Sequence, residues 1–285
     1  MQDVPEPHAG AGQVRMKVRA AGVNPFDSKV RRGLTKAELP RIPGFEVAGV
    51  VDQAGEGAEF AVGDELVGWS VGGAYAEYAI AGNVTHKPAG VSWEQAVSIP
   101  VAGETAQRVL DLLEVKPGET ILIHGAAGAV GAVAVQLAKA AGLTVVGTAS
   151  PANHEYLQSI GAVPVEYGDG LVERVRAAAP QGVDAVFDTA GKGGLRESIE
   201  LRGGTERIVT IADWDAAVEL GIQASGGTGD PVLIRAGLDA QLQAAADGKL
   251  TTRIAALFAL ADAAKAQQLS ESGHARGKIV VLPQA

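Results

Sequence analysis

Three glycines spaced three residues apart, Gly125, Gly128 and Gly131, stand in TILIHGAAGAVGAVAVQLAKAAG (residues 120–142), between an apolar run and a small-residue helical pattern. Residues 120–124 read as a strand, and a helix begins at about Ala129. Gly125, Ala126, Ala127 and Gly128 then form a strand-to-helix turn leading into Ala129, Val130 and Gly131. Such a turn offers the unpaired amides of a helix N-terminus to a diphosphate. Gly128 leaves the approach unblocked and Gly131 lets the helix lie close on the strand. The spacing is AxGxxG, with Ala126 where the usual fingerprint carries its first glycine, and alone it suits plain packing as well as a dinucleotide. Its place at the head of a series of strand and helix units favours the dinucleotide.

The choice of dinucleotide should be written at the end of the second strand, where an acidic side chain would hold the 2′-hydroxyl of NAD. That region reads LTVVGTASPANHEY, with no Asp or Glu between Gly142 and His154. Small polar groups at Thr148, Ser150 and Asn153 can instead receive a 2′-phosphate, which favours NADP. No Lys or Arg occurs from Ala140 to Glu173, so countercharge must come from elsewhere. Arg276 and Lys278, in GHARGKIVV, are candidates; solvated charges ahead of a strand are the plainer reading of both.

Other chemistry is removed by composition. The 285 residues include no cysteine, which excludes disulfides, thiolate nucleophiles and cysteine zinc sites and suits a reducing cytoplasm. The histidines, His8, His86, His124, His154 and His274, include no pair at helical i, i+4 spacing, so no metal site is expected. A net charge of -9, with both signs interspersed, argues against nucleic acid or an anionic membrane as the partner. No apolar run is long enough to span a bilayer and no signal peptide is visible at the start, so a soluble cytoplasmic protein is expected.

The elements that must position these groups follow from texture. Residues 1–99 alternate apolar and polar in short pieces, as in VRMKVRA (14–20) and FEVAGVVDQAG (45–55), and read as a β-rich domain. Residues 100–235 alternate β-branched runs with helical patterns: TILIHG, LTVVGT, VDAVFDTAG and RIVTIAD are strands, with NHEYLQSIG and LRESIEL among the helices between them. This predicts a parallel sheet with right-handed crossovers. Residues 236–285 are read as helices, including IAALFALADAAKAQQLSE, and a last strand at KIVVLP.

The chain resembles the zinc-independent quinone oxidoreductase branch, which includes zeta-crystallin-like proteins, of the medium-chain dehydrogenase/reductase superfamily. The resemblance spans nearly the whole sequence. It is carried by AAGVNPFDSKVRRG (20–33), PGFEVAGVVDQAGEG (43–57), FAVGDELVG (60–68), GGAYAEY (72–78), HGAAGAVG (124–131) and SGHARGKIVV (272–281). It implies an α/β fold: a GroES-like β-rich domain made from both chain ends, a Rossmann-type doubly wound parallel sheet domain between them, and a cleft where the two meet. Family members begin with a strand pair upstream of VPEPHAGAGQV; either that pair precedes this sequence, or the protein lives without it, and then an exposed sheet edge and a more open cleft are expected. A homodimer is expected from the family.

Residue by residue, the resemblance places Asn24 beside the nicotinamide, polarising the substrate carbonyl, although an Asn before Pro is also a good turn residue. Thr105 falls near the nicotinamide ribose, and Ser150 and Tyr167 around the 2′-phosphate. Ile211, in RIVTIAD, joins the cofactor-binding set. At Asn153 the family often carries Lys. The Cys and His that hold catalytic zinc in related alcohol dehydrogenases are replaced around Asn24 and at Phe45. Without a metal, an electron-poor acceptor such as a quinone or conjugated enone suits a neutral amide donor, and Phe26, Trp69 and Tyr75 are candidates to stack on a flat ring. The expected activity is NADPH-dependent reduction of such an acceptor. A tailoring enoyl reductase of secondary metabolism, or an inactive NADPH-binding scaffold or sensor, are the alternatives.

Overall fold

The computed structural model describes residues 2–35, 41–227 and 229–283. The chain divides into two compact units, one made of residues 1–101 and 230–285 and the other of residues 102–229.

The first unit is built on antiparallel strands β1 (Val14–Val23), β2 (Glu46–Ala54), β3 (Glu65–Val71) and β4 (Tyr78–His86). Alternation along β1 turns Met16 and Val18 inward and Lys17 and Arg19 outward. β1 pairs with β2 along its length and with β4 at Arg15 to Lys17, so these strands curl back on themselves around a core that includes Met16, Val18, Val47, Val51 and Leu66. Helix α1 (Pro25–Arg31) follows β1 directly, with Pro25 at its first position, and α2 (Trp93–Val97) follows β4.

Helix α3 (Pro100–Leu112) leads into the second unit. There the order along the chain is β5 (Thr120–His124), α4 (Ala129–Ala140), β6 (Thr144–Thr148), α5 (His154–Ser159), β7 (Val163–Val165), α6 (Leu171–Ala178), β8 (Ala185–Asp188), α7 (Leu195–Arg202), β9 (Ile208–Thr210), α8 (Trp214–Leu220) and β10 (Gln223–Ala224). All pairings are parallel, in the spatial order β10-β9-β8-β5-β6-β7. Every residue of β5 is buried, as a strand covered on both faces must be. The sheet grows from β5 outward through β6 and β7, then restarts at β8 on the other side of β5. That reversal opens a crevice beyond the carboxyl ends of β5 and β8, where open sheets of this kind take ligands.

The chain returns to the first unit through α9 (Pro231–Ala246), β11 (Ile254–Ala259), α10 (Ala263–Glu271) and β12 (Lys278–Leu282). β12 pairs antiparallel with β1, and β11 lies parallel to β12 at the sheet edge. The expectation of helix throughout IAALFALADAAKAQQLSE is therefore corrected at its start. Residues 254–259 are a strand, because β12 supplies ladder partners such as Val280 opposite Leu257, and pairing overrides the helical preference of the alanines.

Candidate functional site

The glycine turn lies at the sheet reversal. Gly125 follows β5 with φ of 69°, and a Cβ there would stand 2.8 Å from Thr189 Oγ1, so the left-handed turn and the close approach of the β8 loop both require glycine. Ala126, at the usual first-glycine position, needs no positive φ because Gly125 makes the turn one residue earlier. A Cβ on Gly131 would fall 2.3 Å from the Gly125 carbonyl oxygen, which shows how closely α4 sits on the turn. Gly128, the N-cap, has an extended backbone, and a Cβ there meets only that same oxygen at 3.2 Å. The amides of Ala129, Val130 and Gly131 form the first turn of α4, which has no preceding carbonyl to accept them.

Beneath the turn runs a chain of hydrogen bonds that sequence reasoning missed. Ser198 Oγ donates to the Gly194 carbonyl and accepts from His124 Nε2 at 2.8 Å. This fixes the tautomer, so Nδ1 accepts from Thr148 Oγ1 at 3.3 Å, and Thr148 Oγ1 in turn accepts the Gly125 amide at 3.2 Å. Burial pushes the His124 pKa down and keeps the ring neutral, despite the opposing field of Asp188. Asp188, at the end of β8, accepts the amides of Ala190 and Gly191 and the Thr210 hydroxyl, ordering the loops after β8 and β9. Ile211 lies half-buried on the second of these loops, its amide bonded to the Asp188 carbonyl at 3.0 Å.

At the far side of the crevice the expected phosphate acceptors separate. Thr148, expected as a phosphate ligand, is buried, and its hydroxyl contacts go to the His124 ring and the Gly125 amide, so that it holds Gly125 in place. Ser150 is half-buried, at the end of β6, and accepts from Asn153 Nδ2 at 3.1 Å. The Ala149 amide bonds the Val165 carbonyl, which puts Ser150 beside the loop carrying the exposed Tyr167. That loop is wrapped by Arg174, whose guanidinium donates to the carbonyls of Glu166, Tyr167, Gly168 and Asp169. Arg174 falls one residue beyond the stretch without cations, and only the fold of the loop brings it back toward Tyr167. Thr105 is buried on α3, donating to Glu104 at 3.3 Å, while Glu104 pairs with Arg108 at 2.7 Å.

In the first unit, Asn24 caps α1 and is buried. Its Nδ2 donates to Glu46 Oε1 at 2.7 Å, its Oδ1 accepts from Lys278 Nζ at 2.7 Å, and its backbone amide donates to Asp27 Oδ2 at 2.8 Å. Lys278 and Glu46 also form an ion pair, with side chains 2% and 0% exposed. Lys278, expected as countercharge for a 2′-phosphate, thus has its ammonium buried and already paired with a carboxylate. Arg276 is exposed just before β12.

The aromatic candidates differ among themselves. Tyr75, a candidate to stack on a flat ring, is buried and donates to Asp27 Oδ2 at 2.8 Å, an arrangement that packs and anchors its ring. Burial beside Asp27 raises its pKa. Asp27 itself is pushed up to about 6, chiefly by burial, against the bonds from Asn24 and Tyr75 that favour its charge. Trp69 is half-buried on β3 opposite Glu46. Phe26 is 48% exposed, and its ring lies 5.1 Å from that of Phe45, which Arg41 covers at 5.4 Å.

Residues 10–91 match the family model for the alcohol dehydrogenase GroES-like domain, and residues 160–281 that for zinc-binding dehydrogenase. Over 99% of the chain and 93% of the relative, the sequence is 32% identical to the chloroplastic quinone-oxidoreductase QR1 of Triphysaria versicolor. The chain belongs to the quinone oxidoreductase branch of the medium-chain dehydrogenase/reductase superfamily.

The chain is also 33% identical to the quinone oxidoreductase of Pseudomonas aeruginosa, over 96% of the chain and 92% of that protein. It is 37% identical over 74% of its length to the pikromycin polyketide synthase component PikAII of Streptomyces venezuelae, of which the match covers 6%. For the human synaptic vesicle membrane protein VAT-1 homolog the figures are 35% identity, 72% of the chain and 54% of the relative. The chain thus spans a small part or about half of some relatives and nearly all of others. Among solved structures, the quinone oxidoreductase of Coxiella burnetii superposes with a TM-score of 0.84 at 32% identity, covering 99% of this chain and 94% of that one. A mycobacterial protein solved in complex with NADPH gives the same TM-score at 28% identity, with the same coverage.

The zinc in the name of the matched family model finds no set of ligands among the described residues. Asn24 and Phe45 offer an amide already bound to an ammonium and a hydrocarbon ring, and among the described residues no group of three or more His, Cys, Asp or Glu is placed to hold a metal. Nor, among the described residues, is any helix long and apolar enough to cross a membrane.

Proposed function

We propose that this medium-chain reductase uses NADPH to reduce a quinone or an α,β-unsaturated carbonyl without a metal ion. One observation carries the reading: a glycine turn at the sheet reversal, with Gly128 open above it and the first amides of α4 unpaired, is a cradle that a diphosphate fits. When bound, the nicotinamide supplies a hydride.

The protein's own groups do the rest. The chain of bonds from Ser198 through His124 and Thr148 holds Gly125 in its turn conformation. Ser150, Tyr167 and Arg174 gather where the 2′-phosphate of an NADP-type cofactor would be received, and no acidic side chain stands at the end of β6 to favour the 2′-hydroxyl. Arg174 is bonded to carbonyls rather than to a carboxylate in these contacts, so its charge is available to an anion. Asn24 is the donor to the acceptor's carbonyl oxygen, where negative charge develops as hydride adds to carbon. The exposed Phe26 beside Phe45, on the unit that carries Asn24, offers a flat apolar surface for a ring. The names of the quinone oxidoreductase relatives and the NADPH complex of the mycobacterial structure support the same reading.

Reduction of an enoyl intermediate of secondary metabolism is the second reading, favoured by the similarity to the polyketide synthase component. A panel of quinones, enals and enones, each assayed with NADPH and with NADH, separates them. The first reading expects quinones turned over fastest and with NADPH; enoyl thioesters reduced while quinones are ignored favours the second.

A further inference from the structure

The Asn24 carboxamide is held by two ionic groups from distant parts of the chain, 22 and 254 residues away. Its oxygen faces an ammonium, which can only donate, and its nitrogen faces a carboxylate, which can only accept, so its orientation is fixed without ambiguity. The second Glu46 oxygen accepts the Val101 amide at 2.9 Å, which anchors the carboxylate from the other side. Space for the pair comes from Gly22 on β1. A Cβ there would lie 2.3 Å from Glu46 Oε1 and 2.8 Å from Lys278 Cε, so any other residue would push the two apart. Register makes this specific, since Gly22 stands opposite Glu46 on one side and Val280 on the other.

Stability alone does not call for such a pair, because buried ions lose hydration that apolar side chains of the same volume would not have needed. Its effect on the amide is chemical. A cation at the carbonyl oxygen draws electron density from the nitrogen and strengthens the amide protons as donors. One of the two Nδ2 protons goes to Glu46, and the other remains.

We propose that Lys278 and Glu46 are positioning residues that orient and polarise the Asn24 carboxamide, so that its remaining N–H is a strengthened donor to the carbonyl oxygen of the acceptor. This rests on the reading of Asn24 as that donor. Lys278, on the last strand, thereby serves the chemistry of a residue at the other end of the chain.

The test is a double-mutant cycle with NADPH and 9,10-phenanthrenequinone, combining Asn24→Ala with Lys278→Met. Lys278→Met alone lowers kcat about tenfold with the quinone KM nearly unchanged, and costs less than about twofold more in the Asn24→Ala background. The paired variant Glu46→Gln/Lys278→Met leaves no lone buried charge and carries the same cycle if the single variant does not fold. A readout free of turnover is the side-chain amide signal of Asn24 in the ¹⁵N-labelled protein without cofactor: its protons move upfield when Lys278 is replaced. An Asn24→Ala loss to which the Lys278→Met loss simply multiplies, or an unmoved Asn24 signal, overturns the inference alone. Full kcat in Asn24→Ala overturns the reading of Asn24 and this inference with it.

Discussion

In the proposed reading, Arg174 gives the phosphate end of the crevice its preference for NADPH. A guanidinium bonded to backbone carbonyls keeps its charge for an incoming anion, and a charge-assisted bond to phosphate exceeds a neutral one. Arg174→Gln is expected to weaken NADPH about tenfold by calorimetry while leaving NADH unchanged. Equal losses for both would mean that the side chain only shapes the loop. Asp27 gives a second prediction at this scale. Its carboxyl has a pKa of about 6 in the fold against 3.8 in the unfolded chain, so the native state takes up a proton first as pH falls. Stability from this group therefore rises as pH drops from 6 to 3.8, by on the order of 3 kcal/mol. The sign for His124 is opposite, since its lowered pKa makes the native state resist protonation below the ordinary histidine value. Asp27→Asn isolates the first effect, because the His124 contribution is common to both proteins. The variant should melt above the wild type at about pH 7.5, and the gap should shrink by about two thirds at about pH 4.5. A gap that does not change with pH contradicts the assignment. None of these environments was legible in sequence. Asp27, Glu46 and Lys278 all lie in motifs that were read, but their partners come from segments far apart in the chain.

At the scale of elements, sequence reached furthest where local pattern and tertiary role agree. The strand and helix around the glycine turn lie at 120–124 and 129–140 as texture predicts, because a fully buried strand and a small-residue helix are each unusual in composition. β11 was misread because alanine suits a helix better than a strand, while its partner β12 lies some twenty residues later. The turn itself separates folding from binding. Gly128 has an extended backbone and a Cβ there would meet only the Gly125 carbonyl oxygen, at 3.2 Å, a tight contact that a shift of a few tenths of an ångström relieves, so Gly128→Ala should melt within a few degrees of the wild type yet weaken NADPH at least about tenfold by crowding the diphosphate. Gly131→Ala would put its Cβ 2.3 Å from the Gly125 oxygen. It should cost about 1–3 kcal/mol of stability as α4 is forced off the turn. The reverse pattern, with Gly131→Ala harmless to folding and Gly128→Ala harmless to binding, would contradict the cradle.

For the molecule as a whole, the division into residues 1–101 with 230–285 and residues 102–229 gives the two proposed kinds of chemistry separate scaffolds: a largely antiparallel sheet that carries Asn24, and a parallel sheet with the glycine turn at its reversal. β11 closes the first sheet with a half-buried apolar face and an edge that pairs with no other strand among the described residues, where strands of two copies can meet. We propose a homodimer, and light scattering should give twice 29.0 kDa; a mass of 29.0 kDa would contradict it. The central claim is more directly tested by stopped-flow oxidation of NADPH in the presence of 9,10-phenanthrenequinone. The protein is expected to consume NADPH far faster than the mixture without it, with the rate saturating in both reactants. A rate that never exceeds the protein-free one, at any concentration of either, would contradict the account.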